Sequence, residues 1–158
     1  MKESQQSYTV KEATIKLMQF CAYRDRCHKE VEEKLREMNM IPAAQEQIIM
    51  ELMQENFLNE ERFARSFVRG KFRIKKWGKI KIKQELKFRE ISAPIIKIAL
   101  TEIDEQKYIA TIYEVAEKKL KLLKEPDKFK KKRKLADFLL RKGYESNLAY
   151  EVVNEHLE

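Results

Sequence analysis

Apolar residues recur every three or four positions along most of the chain, and polar residues occupy the positions between them. Ala13, Leu17 and Cys21 show this spacing near the N-terminus, and Leu135 and Leu139 show it near the C-terminus. Such a spacing places the apolar side chains on one face of an α-helix. The pattern therefore predicts an all-α protein built from amphipathic helices.

The same apolar pattern occurs three times. Val31 and Leu35 correspond to Ile82 and Leu86 at an offset of 51 residues, and the third copy follows the second at an offset of 53. Three copies with a period near 50 residues indicate a helical repeat array. Each copy contains three helical segments. The predicted fold is a tandem array of three three-helix repeats, elongated, and straight or curved according to the angle between the units.

These copies define the predicted segments. Residues 1–10 form a flexible N-terminus, and the three repeats cover residues 11–58, 59–104 and 105–158. The predicted helices span residues 11–24, 28–39, 43–55, 60–75, 79–89, 93–103, 105–123, 128–142 and 146–157.

Residues at the predicted helix ends support these boundaries. Asn59 is suited to cap the N-terminus of a helix, because its side chain can accept a bond from a first-turn N–H. Pro42 and Pro94 fit first turns, where the missing N–H of proline costs little. Gly143 stands where a helix C-terminus requires a left-handed residue.

The middle copy carries apolar residues at two positions where the other copies are charged. These residues are Ile80 and Phe88. A repeat with neighbours on both sides needs more apolar surface than a terminal repeat, so we expect both side chains to pack against neighbouring repeats.

Positive charge is concentrated in two segments. The chain has 34 Lys and Arg against 26 Asp and Glu, which gives a net charge of +8. Residues 62–89 contain twelve basic residues and one acid, Glu85, and residues 118–142 form a second basic segment. This distribution indicates a surface for a polyanion, most simply nucleic acid, although a solvated helix face is the alternative. The third helices are short and apolar, which favours contact with the phosphate backbone over base readout.

The candidate binding residues are the cations of these segments together with the single tryptophan. They are Arg65, Arg69, Lys71, Arg73, Lys75, Lys76, Lys79, Lys81, Lys83, Lys130, Lys131, Lys132, Arg133 and Lys134. Trp77 either stacks on a base or anchors in a protein pocket, or it packs in the core at the turn between two helices.

Motifs of common enzyme classes are absent from the sequence. There is no phosphate-cradling glycine loop, nucleophile elbow or histidine acid–base pair. Cys21, Cys27 and His28 do not have the spacing of zinc ligands. An apolar run near 18 residues and a signal-peptide core are also lacking. We therefore expect a cytoplasmic, monomeric, non-enzymatic protein without membrane contact, metal or cofactor.

The central copy resembles the signature of the RecX family, whose members regulate the RecA recombinase. The matching residues are Leu58 to Ala64 (LNEERFA), Phe67 to Arg69 (FVR), Gly78, and Ile82 to Leu86 (IKQEL). The three-copy layout is similar too, so the resemblance covers about residues 13–157. Glu90 departs from the family pattern, which has a glycine there, and we expect a local change in turn geometry.

The resemblance implies a non-enzymatic modulator, most often an inhibitor, of RecA. Such proteins lie in the groove of the RecA filament on single-stranded DNA and limit filament growth, ATP hydrolysis and coprotease activity. This activity implies a part in DNA repair, recombination and the SOS response. Two alternatives stay open on charge alone: a general nucleic-acid-binding helical repeat protein without RecA specificity, and a scaffold whose basic face binds an acidic protein.

Overall fold

The chain forms three consecutive three-helix units in the computed structural model, which describes residues 7–158. The helices in this range are α1 Val10–Tyr23, α2 His28–Glu37, α3 Pro42–Gln54, α4 Glu60–Arg73, α5 Lys79–Phe88, α6 Ala93–Leu100, α7 Glu105–Leu122, α8 Lys128–Arg141 and α9 Ser146–His156. Helices α1–α3 form repeat 1, α4–α6 form repeat 2 and α7–α9 form repeat 3. The predicted all-α fold of tandem three-helix repeats is confirmed. Most of the predicted flexible N-terminus, residues 1–6, lies outside the described residues.

Four helix starts have side-chain caps in the described residues, and the sequence predicts the one at Asn59. Side chains of Thr9, Asn59, Asp104 and Asp127 each accept a bond from the backbone N–H three residues later, at 3.0–3.1 Å. Helices α3 and α6 have proline in their first turns. No helix within residues 7–158 is long and apolar enough to cross a membrane.

The turn between the second and third helices has the same geometry in all three repeats. Asn39, Glu90 and Gly143 occupy it, with φ angles of 60°, 61° and 98°. In each repeat the next residue donates its N–H to a carbonyl five residues earlier, at 3.1–3.2 Å. The prediction of an altered turn geometry at Glu90 is therefore wrong. The left-handed conformation costs Glu90 about 1–2 kcal/mol. The backbone keeps this conformation because the surrounding hydrogen bonds hold the turn.

Two hydrophobic clusters support the described part of the fold. Leu17, Leu35 and Ile48 lie in a cluster that belongs to repeat 1. A larger cluster is continuous through repeats 2 and 3, and repeat 1 contributes Cys27 to it. The apolar positions that recur between the copies line these clusters: Ala13, Val31, Ala64, Val68, Ile82, Leu86, Ala99, Leu135, Leu139 and Val152 are each 0% exposed.

Ile80 and Phe88 are more exposed than the sequence predicts. Their exposed fractions are 40% and 69%. Phe88 meets repeat 1 through Lys29, whose ammonium lies 4.1 Å from the centre of the ring. The prediction fails because backbone groups and aromatic residues, rather than these two side chains, join repeat 2 to repeat 3.

Candidate polyanion-binding surface

The turn that precedes α5 packs directly on the turn between α8 and α9. The N–H of Gly78 donates to the carbonyl of Lys142 at 2.8 Å, and the N–H of Ile80 donates to the carbonyl of Gly143 at 2.9 Å. A Cβ atom on Gly78 would lie 2.3 Å from the carbonyl carbon of Gly143, so this approach requires glycine. These bonds fix the first basic segment against repeat 3.

Two buried tyrosines of repeat 3 complete this junction. The hydroxyl of Tyr144 donates to the carbonyl of Lys76 at 2.6 Å, and the hydroxyl of Tyr108 accepts from the N–H of Lys79 at 3.0 Å. The two rings are 5.5 Å apart between centroids. Burial raises the pKa of both phenols. Helix α5 has no side-chain cap of its own, and its first N–H groups are satisfied by repeat 3.

Three lysines, here called the junction lysines, come together at the same place. They are Lys75, Lys81 and Lys142, and the ammonium of Lys142 donates to the carbonyl of Lys75 at 2.8 Å. Within residues 7–158 none of the three is paired with an acid. Burial, reinforced by the charges of Lys81 and Lys75, lowers the pKa of Lys142. The uncompensated charge of this cluster suits an anion.

Trp77 lies beside the junction lysines and is half-buried. It makes an edge contact with Phe67, with ring centroids 6.4 Å apart. The ammonium groups of Lys81 and Lys71 lie 4.5 Å and 5.0 Å from the centre of the indole. Trp77 thus packs on the core cluster and also positions two of the predicted binding lysines. Its contact with a base or a protein pocket stays a prediction.

Three predicted binding residues of the first basic segment form ion pairs with acids of residues 7–158. Arg65 and Arg69 both bind Glu102, at 2.9 Å and 3.2 Å, and Lys79 binds Glu105. The hydrogen bond from Arg65 lowers the pKa of the Glu102 carboxyl. These pairs join α4 to the residues after α6, and α5 to α7. Their cations are already neutralised in part, which leaves less charge for phosphate.

The other predicted residues of the first segment are accessible. Arg73, Lys75 and Lys83 are exposed, and Lys71, Lys76 and Lys81 are half-buried. In the second segment, residues 130–134 occupy the first two turns of α8. Lys134 pairs with Glu125 at 3.0 Å. The structure does not bring residues 130–134 into the junction cluster.

Both α5 and α8 begin with lysines and have no acid in the first turn. The N-terminus of a helix carries partial positive charge, so each such lysine is unfavourable by about 0.3–1 kcal/mol. The cap Asp127 at α8 and the pairing of Lys79 with Glu105 at α5 offset part of this cost. A bound polyanion would remove this repulsion. The electrostatics of the two helix starts therefore agree with the charge pattern of the sequence.

Lys142 is a candidate contact that the residue list from the sequence missed. It ends the second basic segment, immediately before the turn glycine Gly143. The charge pattern does contain this residue, but nothing in it shows that the turn of repeat 3 meets the turn of repeat 2. The signal that distinguishes Lys142 is therefore a tertiary contact.

The fold and this surface define a helical repeat protein with a basic face. Family models of the second and third three-helix domains of RecX match residues 59–100 and 105–153, together more than half of the chain. The chain belongs to the RecX family.

Individual relatives agree with this membership. The chain is 34% identical over 137 residues to Regulatory protein RecX of Clostridium perfringens strain 13, covering 82% of this chain and 64% of the relative. It is 37% identical over 131 residues to Regulatory protein RecX of Clostridium acetobutylicum, covering 80% and 60%. The chain thus spans less than two thirds of the length of these curated relatives.

Solved structures show the same fold. The crystal structure of RecX from Lactobacillus salivarius superposes with a TM-score of 0.82 at 24% identity, covering 92% of this chain and 95% of that one. A second crystal structure of a regulatory protein RecX gives a TM-score of 0.84 at 21% identity, covering 92% and 73%. At these identities the likeness concerns the fold.

Proposed function

We propose that this protein modulates the RecA recombinase, as an inhibitor, by binding in the groove of the RecA filament on single-stranded DNA. Binding there limits filament growth and so lowers ATP hydrolysis and coprotease activity. The protein acts as a monomer in the cytoplasm, in the setting of DNA repair, recombination and the SOS response. It performs no chemistry of its own.

The observation that carries the proposal is the cluster of junction lysines in a chain of the RecX family. Backbone bonds between repeats 2 and 3 hold together the turns that bring Lys75, Lys81 and Lys142 close, and the ammonium of Lys142 is held by the carbonyl of Lys75. None of the three is paired with an acid of residues 7–158. Fixed cations bind a phosphate backbone with less loss of side-chain freedom than mobile ones. This cluster at the junction of repeats 2 and 3 supports a contact with an anionic filament.

The test is a titration of RecA's DNA-dependent ATPase with this protein. Substoichiometric protein should slow ATP hydrolysis, because a bound modulator limits addition of further protomers. A variant with Lys75, Lys81 and Lys142 changed to Gln should need several-fold more protein for the same inhibition. No inhibition at equimolar wild-type protein in low salt would contradict the proposal.

A matched control has the same change of charge at lysines outside the surface. Lys11, Lys97 and Lys107 are exposed and lie on α1, α6 and α7. Changing these three to Gln should leave inhibition within about twofold of the wild type, because they lie outside the junction cluster. Equal losses in both triple variants would mean that net charge alone acts.

The alternative function is general nucleic-acid binding without RecA specificity, which the two basic segments favour. It predicts equal affinity for DNA with and without RecA. A salt titration shows how much of the affinity comes from phosphate contacts. Each phosphate contact on a single strand makes the fall of log affinity with log salt steeper by about 0.7. Loss of the three junction lysines should lower this slope by about 2.

A further inference from the structure

A groove of about 640 Å³ lies between repeat 1 and repeat 2. One wall consists of the loop after α1 and the start of α2, and the other consists of α4 and the end of α5. This groove is separate from the junction of repeats 2 and 3, although Lys75 borders both features. The contacts described for the polyanion-binding surface do not fill this groove.

The centre of the groove is apolar and open to solvent. Ile74 is 78% exposed and Phe88 is 69% exposed, and Phe67 lies half-buried beside them. Neighbouring exposed apolar side chains at the same depression mark an interaction site more often than isolated ones do. Phe88 is also one of the two apolar residues that distinguish the middle repeat.

Gly70 is an independent indication that a binding partner lies close to the α4 backbone in this groove. It lies in the interior of α4, where glycine is less favourable than alanine. A Cβ atom built on Gly70 would meet nothing within 4 Å. Packing within the described chain therefore gives no reason for a glycine at this position. The missing side chain leaves room in the groove wall for an occupant.

The charges around the groove favour an acidic protein segment. Lys71 and Lys75 lie on the α4 wall without an acidic partner among residues 7–158, and Lys71 also contacts aromatic rings. On the other wall Asp25 is neutralised by Arg62 at 2.7 Å. Carboxylates of an occupant would thus meet free cations.

A nucleic acid fits the same groove poorly. Glu33 lines the repeat 1 wall without a cationic partner among residues 7–158 and would face the phosphates of a bound strand, whereas Glu30 is neutralised by Arg24 at 2.8 Å. The apolar centre of the groove offers phosphates no hydrogen-bond donor. A protein segment can place apolar side chains at the centre and carboxylates at one edge. The chemistry of the groove therefore points to protein.

We propose that this groove binds an acidic, amphipathic segment of a partner protein. Apolar side chains of the segment pack on Ile74 and Phe88 across Gly70, and a carboxylate of the segment binds Lys71. The identity of the partner rests on the proposed function, under which it is the recombinase protomer. The junction lysines then contact phosphate, and the groove contacts protein.

The first experiment tests the chemistry of the groove without the recombinase. Amide chemical shifts of the protein are followed by NMR as a synthetic peptide of alternating Glu, Leu and Phe is added at millimolar concentration. Shifts should appear at Gly70, Ile74 and Phe88. A peptide with Lys in place of Glu should produce none, and Gly70→Leu should abolish the response to the acidic peptide.

Three outcomes of this experiment overturn the proposal. One is the absence of shifts at these amides, and another is equal response to the acidic and basic peptides. The third is a set of shifts that depends on protein concentration without peptide, which would mean that a second copy of this chain occupies the groove.

The second experiment identifies the partner. Affinity for RecA filaments on a labelled single strand is compared with affinity for the same strand alone, by fluorescence anisotropy. Gly70→Leu and Phe88→Ser should each weaken filament binding about tenfold or more, as expected for central contacts of an interface. Both should leave affinity for the bare strand within about twofold.

Matched controls and a stability readout exclude misfolding. Ala110→Leu and Tyr150→Ser make the same kinds of change at exposed positions of α7 and α9 and should leave both affinities unchanged. Gly70→Ala should raise the melting temperature by about 1–4 °C while weakening filament binding. A variant that is more stable yet binds less tightly has lost a contact rather than its fold.

The two proposals fail in different ways. Unchanged filament affinity in the groove variants, or an equal loss of filament and bare-strand affinity, overturns the groove as a protein site. A wild-type protein that prefers filaments no more than bare DNA contradicts the proposed function, while a positive peptide experiment would still support the groove.

Discussion

The two junctions between repeats are built in different ways. Repeats 2 and 3 share a hydrophobic cluster and join through backbone bonds around Gly78 and Gly143. Repeats 1 and 2 meet mainly through side chains: Arg62 binds Asp25 at 2.7 Å, and Lys29 donates to the carbonyl of Phe88 at 3.1 Å. A groove of about 640 Å³ lies between them. We therefore expect the junction of repeats 2 and 3 to be much the stronger of the two.

Under the two proposals, this difference gives each junction a separate task. Backbone bonds hold the junction lysines at fixed positions, which suits a regular array of phosphates. Side-chain contacts leave a groove open and permit repeat 1, with its own hydrophobic cluster, to adjust to a partner. Each prediction below tests one junction against the other.

Gly78→Ala should have the largest effect on stability. The added Cβ would lie within 2.4 Å of backbone atoms of Gly143 and Tyr144, so the two turns must separate. The cost of such overpacking, with the loss of bonds across the junction, is about 3 kcal/mol of unfolding free energy or more. Urea denaturation followed by circular dichroism measures it.

Gly70→Ala is the matched control, because it adds the same methyl group to the same kind of residue. Its Cβ meets nothing within 4 Å, and it should raise the unfolding free energy by about 0.5–1 kcal/mol. Similar effects of the two substitutions, in size and sign, would contradict the claim that the junction of repeats 2 and 3 needs glycine.

Raising the pH above 10 should weaken the junction of repeats 2 and 3. Burial keeps the phenols of Tyr108 and Tyr144 protonated in the folded protein, whereas the unfolded chain releases these protons near the ordinary pKa of 10.0. Above pH 10, unfolding therefore releases these protons. The contribution of the two phenols to the free energy of unfolding is complete below pH 10 and declines as the pH rises. The decline is about 1.4 kcal/mol per pH unit for each tyrosine.

The pH effect is measured as a difference, because lysines also titrate in this range. The free energy of unfolding of the wild type is compared with that of the double variant Tyr108→Phe, Tyr144→Phe from pH 9 to 11. The double variant should lose less stability as pH rises. Parallel pH profiles would mean that the two phenols do not stabilise the junction in this way.

Tyr144→Phe alone should cost about 1–2 kcal/mol at neutral pH. It removes the donor to the carbonyl of Lys76, a bond of 2.6 Å, at a side chain only 1% exposed. Tyr113→Phe is the control: its hydroxyl binds Glu155 at 2.6 Å in an exposed place, where water can replace it. Equal losses in thermal denaturation would show that burial at the junction does not matter.

The fold could be predicted from the sequence because its cause is periodic. Positions such as Leu17, Val68 and Leu139 recur in the copies and are all buried. The turn at Glu90 could not be predicted, since a left-handed glutamate is held there by backbone bonds rather than by its own preference. Periodicity reports which face is buried, and it does not report backbone strain.

The candidate site could be predicted only in outline. The basic segments show where cations are concentrated, but pairing depends on the tertiary structure: Arg65 and Arg69 both reach Glu102. The contact of Lys142 with Lys75 likewise joins residues from different repeats. The sequence distinguishes Phe88 by its apolar character, which predicts a packed contact between repeats, but the side chain is 69% exposed.

Asp25→Asn should have the smallest effect, because it tests the junction that depends on side chains. The pair of Arg62 with Asp25 is partly exposed, with exposed fractions of 37% and 29%, and Arg62 keeps a second bond to the carbonyl of Phe57 at 3.1 Å. Such pairs contribute under about 1 kcal/mol, and salt screens them. Asp137→Asn, at an exposed acid of α8, is the control. A loss from Asp25→Asn as large as that from Gly78→Ala would mean that charge holds repeat 1 in place as firmly as backbone bonds hold repeat 3.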